Sequence, residues 1–349
     1  MRVLVVGAGS IGTRNIRNLI GLGVKDIAVA DPDPRRPLSL RTRGIARYRS
    51  DAEALRHFRP EAVFVCTPTR LHLPVARRAL RAGAHVFVEK PLSHTSAGVN
   101  AFAAEAARSR RTVMIACNYL FHDGMRKLSQ TLRAGRHGRP LSYAVTLGYH
   151  VPSARGARGR TAYGARKGEG EDVLLDSGSH CIPYLRALFG SVARTAALTS
   201  PLHPLGLKSG ELSVVALRHA TGVLGVLSLD YVRRQASHRM DVLTDKGRLA
   251  FDVRANALWF VGGRSRQKLY QGVRDLNHMF IKELKHFLAC IRSGKKPLQD
   301  AKNGTEVVRL LSTPHSSRRD AALARAIWAK TIYQRLRGPV AHAGFKRLT

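Results

Sequence analysis

Arg2-Val3-Leu4-Val5-Val6-Gly7-Ala8-Gly9-Ser10-Ile11-Gly12 is the stretch whose reading decides the fold. Its first half is a continuous apolar run, the pattern of a parallel strand covered on both faces. The glycines follow at G-x-G-x-x-G spacing. Gly7 permits the tight turn, Gly9 lets the backbone approach a pyrophosphate, and Gly12 lets the helix pack on the strand. The helix continues through Ile16, Leu19 and Ile20 and stops at Gly21-Leu22-Gly23. Amides at its start, around Ser10 and Ile11, together with the helix dipole suit a phosphate.

Working outward, Asp26-Ile27-Ala28-Val29-Ala30 reads as a second strand that ends at Asp31. Asp31 stands about 20 positions past Gly12, where an acid binds the adenosine ribose. A carboxylate there repels a 2′-phosphate and favours NAD; Arg35 and Arg36 close by would favour NADP if they turn inward. Asp31-Pro32 also fits a simple turn. The alternation continues with strands at 62–66, 86–88 and 112–116 and helices at 73–82 and 97–108. The fold class is therefore α/β, with an N-terminal Rossmann domain over 1–120. Ligands in such sheets lie beyond the carboxyl ends of the strands, which is where Thr67, Lys90 and Asn118 fall.

Past residue 120 the periodicity changes. Leu141, Tyr143, Val145 and Leu147 alternate, as in a strand buried on one face. Residues 211–218, 222–230, 238–244, 248–253 and 257–261 are further strand candidates, with Asp245-Lys246-Gly247 as a hairpin turn. A helix carrying Phe280, Leu284, Phe287, Leu288 and Ile291 ends at Gly294.

These motifs, in this order, resemble the Gfo/Idh/MocA family of oxidoreductases over residues 1 to about 318. They are Gly7-Ala8-Gly9-Ser10-Ile11-Gly12, Cys66-Thr67-Pro68-Thr69 with His72, Glu89-Lys90-Pro91, Cys117-Asn118, and Leu174-Leu175-Asp176-Ser177-Gly178-Ser179-His180. Tyr163-Gly164-Ala165-Arg166-Lys167 and the segment around His180 resemble a branch acting in surface-glycan and legionaminate-type pathways. The resemblance implies a C-terminal α/β domain over 121–318 with an open, mostly antiparallel sheet, a substrate site and a subunit interface. It implies cofactor contacts from Thr67, Pro68, Thr69, His72, Glu89, Lys90 and Asn118. Substrate contacts are implied from Lys90, Asn118, Arg166, Lys167, Asp176 and His180, as is a cis Lys90-Pro91 bond.

The chemistry follows from residue types. Lys90 is expected to stabilise a reacting alkoxide, and His180 to act as general base in oxidation and acid in reverse, since imidazole titrates near working pH. If the helix starts early enough, Asp176 shares a face with His180 and binds substrate or orients the ring. An Asp just before a helix is equally a common N-cap, and His180 alone could be a core histidine. Three departures from the family pattern are Pro183 where an acid is common, Leu120 where an Arg is common, and Gly168-Glu169-Gly170-Glu171-Asp172 before the catalytic element. Pro183 is expected in a first helical turn, where proline is tolerated.

Composition bounds the rest. The chain has 349 residues, 59 Lys and Arg against 23 Asp and Glu, and a formal charge of +36. Such charge speaks to anionic partners rather than to fold. Arg155, Arg158, Arg160, Arg166 and Lys167 crowd one loop and suit an acidic or nucleotide sugar, or simply a solvated surface. Residues 319–349 form a basic extension, with no acid from position 321 onward. No apolar run reaches the ~18 residues of a membrane span, and no leader precedes the first strand, so a cytoplasmic protein is expected. Cys66, Cys117, Cys181 and Cys290 read as buried free thiols, with no metal site. The leading expectation is an NAD(P)-dependent dehydrogenase of a sugar, polyol or nucleotide sugar, working as a homo-oligomer without nucleic acid or membrane. The rivals are an NAD(P)-binding regulator without turnover and, on charge alone, a nucleic-acid-binding protein.

Overall fold

The computed structural model describes residues 1–33, 35–36, 44–155, 172–207 and 209–312. Arg166, Lys167 and the extension 319–349 lie outside these residues.

The first half alternates strand and helix: β1 (Val3–Val6), α1 (Ser10–Gly21), β2 (Ile27–Ala30), β3 (Ala46–Tyr48), α2 (Asp51–His57), β4 (Ala62–Val65), α3 (His72–Arg81), β5 (His85–Val88), α4 (Val99–Arg108) and β6 (Val113–Ile115). The strands form one six-stranded sheet in the order β3-β2-β1-β4-β5-β6, with parallel pairing throughout. Every residue of β1, β2 and β4 is buried, as expected where helices cover both faces. The order reverses between β1 and β4, so the loops after these strands border the ligand crevice.

The second half comprises α5 (Asp123–Ala134), β7 (Pro140–Gly148), α6 (Val151–Arg155), α7 (Val173–Phe189), β8 (Val192–Thr199), β9 (Leu212–His219), β10 (Leu224–Asp230), β11 (Ser237–Thr244), β12 (Gly247–Asp252), β13 (Ala257–Gly262), β14 (Ser265–Gln271), α8 (Asn277–Ser293) and α9 (Ala301–Ser312). Its sheet has eight strands in the order β14-β13-β12-β11-β7-β10-β9-β8. Pairing is antiparallel except between β7 and β10, which run parallel. Asp245-Lys246 joins β11 to β12, with Thr244 opposite Gly247. Gly294 closes α8 at φ +68°.

The five strand candidates over 211–261 are all strands. β3, β8 and β14 were not anticipated; β8 and β14 lack clean alternation, and β3 is short and at an edge. Residues from α5, α7 and α9 pack on one face of the second sheet. Helix α8 behaves differently: Leu284, Phe287 and Leu288 join the core of the first sheet. The C-terminal segment therefore returns to brace the nucleotide fold. All four cysteines are free and buried. Among the described residues no helix is long and apolar enough to cross a membrane.

Candidate active site

The glycine loop is shaped around a close approach. Gly7 adopts φ +93°, and a Cβ there would lie 2.6 Å from the Cys66 carbonyl oxygen. A Cβ on Gly12 would lie 1.9 Å from the Gly7 carbonyl oxygen, whereas one on Gly9 would point into open space. No side chain caps the start of α1 and no acid occupies its first turn. Its amides therefore remain available to an anion.

Asp31 is buried and accepts a hydrogen bond from the Ala8 amide at 2.7 Å, which ties the acid to the glycine loop. Its other oxygen accepts from the Asp33 amide at 2.9 Å. Asp31 is thus a turn residue as well as a ribose candidate, since a carboxylate keeps further lone pairs for hydroxyls. Arg36 approaches it at 3.9 Å, while Arg35 turns to Asp33.

At the end of β4, the Thr67 hydroxyl is buried without a partner among the described residues. Pro68 precedes a short 3-10 turn, Thr69–Leu71. His72 is buried between two backbone carbonyls, of Pro91 at 2.7 Å and Thr67 at 2.8 Å. Burial pulls its pKa down to about 4, and a neutral ring donates through only one nitrogen. His72 therefore donates to one of the two carbonyls and packs between the loop after β4 and the loop after β5. Glu89 faces α1 and accepts from Asn15 at 3.2 Å; burial raises its pKa against the help of that bond. Asn118 is buried at the start of another 3-10 turn, Asn118–Phe121. The residues around the crevice fit a dinucleotide: an open glycine cradle, free helix amides, a buried acid and an unpartnered hydroxyl.

Beyond β5 the Lys90-Pro91 peptide is cis. The Lys90 ammonium crosses to the second half of the molecule, where it ion-pairs with the Asp176 carboxylate and donates to the Asp176 carbonyl at 3.1 Å. Asp176 is free for this because Asp172 caps α7, accepting from the Leu175 amide at 2.7 Å. The cap and the candidate acid are two different aspartates. The second Asp176 oxygen accepts from Tyr231 at 2.9 Å and lies 3.4 Å from the Tyr149 hydroxyl.

These tyrosines were not anticipated. They follow β10 and β7, the parallel pair of the second sheet, whose ends Asp230 and Gly148 lie in register. A parallel pair delivers both chain exits to the same edge, so the two rings sit with centroids 5.5 Å apart. The sequence signal was the end of each strand run, but their pairing came only with the sheet order.

His180 lies one helical turn beyond Asp176 on α7 and is half-buried. Its Nδ1 is buried without a partner among the described residues. Burial, then the Lys90 charge, holds its pKa well below the usual histidine range, with Asp176 pulling the other way. The ring is therefore neutral at working pH. Tyr119 stands edge-on to it at 5.3 Å and edge-on to His238 at 4.7 Å. His238 in turn meets the Tyr184 hydroxyl at 3.1 Å.

Two departures have structural answers. Pro183 lies well inside α7, not in its first turn, because the helix already starts at Val173. It removes the N–H that would bond to the Ser179 carbonyl, yet α7 continues to Phe189. Leu120 packs against the apolar core of the second sheet, so no cation stands there.

The sequence profile of the GFO/IDH/MocA oxidoreductase family, NAD-binding Rossmann fold, matches residues 1–117. That of the GFO/IDH/MocA C-terminal domain matches residues 125–250. The chain belongs to the Gfo/Idh/MocA family. As a family member it is an NAD(P)-dependent oxidoreductase. It is 28% identical over 319 residues to myo-inositol 2-dehydrogenase of Thermotoga maritima, covering 87% of this chain and 92% of that one. Levoglucosan dehydrogenase in complex with NADH and levoglucosan shares the fold, with a TM-score of 0.79, 18% identity and coverage of 94% and 97%. So does UDP-N-acetylglucosamine 3-dehydrogenase of Acidithiobacillus ferrooxidans, with a TM-score of 0.69, 20% identity and coverage of 89% and 95%.

Proposed function

We propose that this oxidoreductase interconverts a secondary hydroxyl and a ketone on a sugar, polyol or nucleotide sugar, with Lys90, Asp176 and His180 as its catalytic residues. The observation that carries the proposal is the Lys90–Asp176 ion pair, which joins the two halves one helical turn from a neutral imidazole. Bound NAD(P) supplies the hydride acceptor in oxidation and the donor in reduction.

The chain's own residues supply the rest. A substrate hydroxyl placed between Lys90 and Asp176 meets an ammonium that stabilises alkoxide character and a carboxylate that accepts from a neighbouring hydroxyl. His180 takes the hydroxyl proton and returns it in the reverse direction. Tyr231 and Tyr149 hold the second Asp176 oxygen, so the carboxylate keeps its aim on Lys90. We assign cofactor contacts to the loops of Gly7–Gly12, Thr67–Thr69 and Asn118, with Asp31 on the ribose, and to Arg36 any tolerance of a 2′-phosphate. His72 and Glu89 support these loops from behind.

The substrate class draws support from the names of relatives that act on an inositol, an anhydrosugar and a UDP-sugar. A place in glycan or sugar-nucleotide metabolism rests on the branch resemblance around His180. Leu224 and Leu243 are exposed on the second sheet, where Leu224 pairs with Arg218 and Leu243 with Arg248. We assign this side to self-association, which light scattering of the purified protein tests.

The deciding experiment is steady-state turnover on a panel of polyols, monosaccharides and UDP-sugars, followed by NADH absorbance. Turnover on at least one member is expected, and it should be lost in Lys90→Met and His180→Asn while NADH still binds. Undiminished turnover in both variants would sink the assignment. NADH binding with no turnover anywhere on the panel would favour the regulator instead.

A further inference from the structure

The imidazole of His180 lacks the usual orienter. Its Nδ1 is shut away without a partner among the described residues, so Nε2 is the nitrogen left to meet a substrate hydroxyl. A base of this kind is commonly aimed by a third group that bonds its other nitrogen. The Asp176 carboxylate, on the same helix, is taken up by Lys90 and Tyr231. A histidine ring left unheld turns broadly about its last torsion, and a turned ring carries Nε2 away from the hydroxyl.

What does meet the ring is Tyr119. The two rings stand edge-to-face, with centroids 5.3 Å apart and planes at 82°. Tyr119 meets His238 in the same manner at 4.7 Å and 84°, and Tyr184 at 6.3 Å and 76°. His238 is fixed in turn by the Tyr184 hydroxyl at 3.1 Å. Tyr184 lies one helical turn beyond His180 on α7, so their side chains share a face. The Asn118–Phe121 turn thus inserts Tyr119 between α7 and β11. Aromatic rings favour this edge-to-face geometry, and here the contacts close a circuit back to the helix that carries the base. Burial, more than the Cys181 thiol, pushes the Tyr119 hydroxyl up to about 12. Tyr119 therefore stays protonated at working pH and is no rival base.

From this arrangement we propose that Tyr119 is a positioning residue, whose ring, braced by His238 and Tyr184, sets the plane of the His180 imidazole and shields it from water. This role rests on His180 being the general base. Packing takes the place of the hydrogen bond that would otherwise aim it. The effect on the reaction passes through the ring of Tyr119 and not through its hydroxyl.

The test compares Tyr119→Leu, which removes the ring, with Tyr119→Phe, which keeps it. Tyr119→Leu should cut kcat about 30-fold, somewhat below the ~10²–10⁴ that a general base contributes. KM and NADH affinity should hold, and Tyr119→Phe should stay close to wild type. A second readout needs no turnover. Histidine-selective NMR across pH, on the full chain with NADH bound, follows His180 itself, its signal identified by its loss in His180→Asn. The charged and titratable groups around the ring are Lys90, Asp176, His238 and Tyr119. Burial is the chief cause holding the His180 pKa down. Admitting water should therefore move its titration to higher pH in Tyr119→Leu and leave it in place in Tyr119→Phe. A merely structural tyrosine would lower stability without that shift. Tyr119→Met, whose flexible side chain fills the same space, gives the same readings should Tyr119→Leu fail to fold. The role is overturned if either kcat or the titration stays at its wild-type value without the ring. It is also overturned if Tyr119→Phe is as impaired as Tyr119→Leu, which would give the effect to the hydroxyl, or if KM alone rises, which would make Tyr119 a substrate contact. Failure of the base itself is told apart by His180→Asn, whose undiminished turnover would remove both roles at once.

Discussion

The two sheets bury their strands differently, and they contribute to the site differently. In the first, β1, β2 and β4 are buried at every residue. In the second, β11 buries His238, Met240, Val242 and Thr244 while Arg239 and Leu243 stay exposed. A sheet covered on both faces has only its strand ends to offer a ligand, so the first works mainly through backbone: glycine turns, helix amides and a cis peptide. The second sheet instead reaches the candidate site with side chains, Tyr149 and Tyr231, set just past the ends of β7 and β10. Lys90 is where the two modes meet.

The largest test of that division is Lys90→Met. If this ammonium is the first sheet's one reacting side chain, kcat should fall about 10³-fold, the cost of losing a donor aimed at developing negative charge. NADH affinity, measured by fluorescence titration, should hold, because the glycine loop is untouched. A joint loss of turnover and cofactor binding would mean that Lys90 serves the backbone site instead.

Gly12→Ala probes the first mode directly. The added Cβ would stand 1.9 Å from the Gly7 carbonyl oxygen. Overpacking of this kind costs about 1–3 kcal/mol. Chemical denaturation should show that loss, and NADH binding should weaken with it because the turn itself must shift. Gly9→Ala, whose Cβ meets nothing within 4 Å among the described residues, should leave stability nearly unchanged and weaken NADH binding alone.

Acid stability sets one histidine from each region side by side. His72 packs between loops of the first sheet and His238 lies within the second, with pKa values pulled down by burial to about 4 and about 3. Unfolded histidine titrates near about 6.5. Below that pH the unfolded chain takes up protons that the folded chain refuses. The stability present above about pH 6.5 is therefore lost as pH falls, by about 2 kcal/mol per histidine between about pH 7 and pH 5. Glu89 and Glu283, raised chiefly by burial, work in the opposite sense and weaken the fold as pH rises. Urea unfolding across pH should show the acid loss, and His238→Gln should remove its share without altering the His72 share.

What the sequence made legible follows the same division. Gly7, Gly9, Gly12, Asp31 and Lys90 could be read because backbone-mode sites need particular residues at fixed spacing along one local stretch. Asp176 and His180 could be read because one helix turn fixes their common face, although the cap at Asp172 had to be seen before Asp176 was free of that role. Tyr149 and Tyr231 could not be read, because their meeting depends on β7 and β10 pairing in parallel across a long separation in the chain. Pro183 was misplaced for a related reason: the start of α7 is set by the Asp172 cap, which lies upstream of the apolar pattern. Helix α8 was found, but periodicity cannot tell which sheet an apolar face will cover.

Tyr231→Phe gives the smallest effect and bears most directly on whether the second sheet takes part in the chemistry. The substitution keeps the ring against Tyr149 and removes only the 2.9 Å bond to Asp176. Asp176 would still hold Lys90, and the Tyr149 hydroxyl at 3.4 Å is close enough to compensate in part. The expected loss is about tenfold in kcat, or about 1.4 kcal/mol, near the low end for a hydrogen bond to a charged group. The double variant with Tyr149→Phe should lose more than the product of the two single losses, since each tyrosine then lacks its substitute. Strictly multiplicative losses would mean that the hydroxyls act separately, and unchanged kcat in the double variant would confine the second sheet to shaping the cleft.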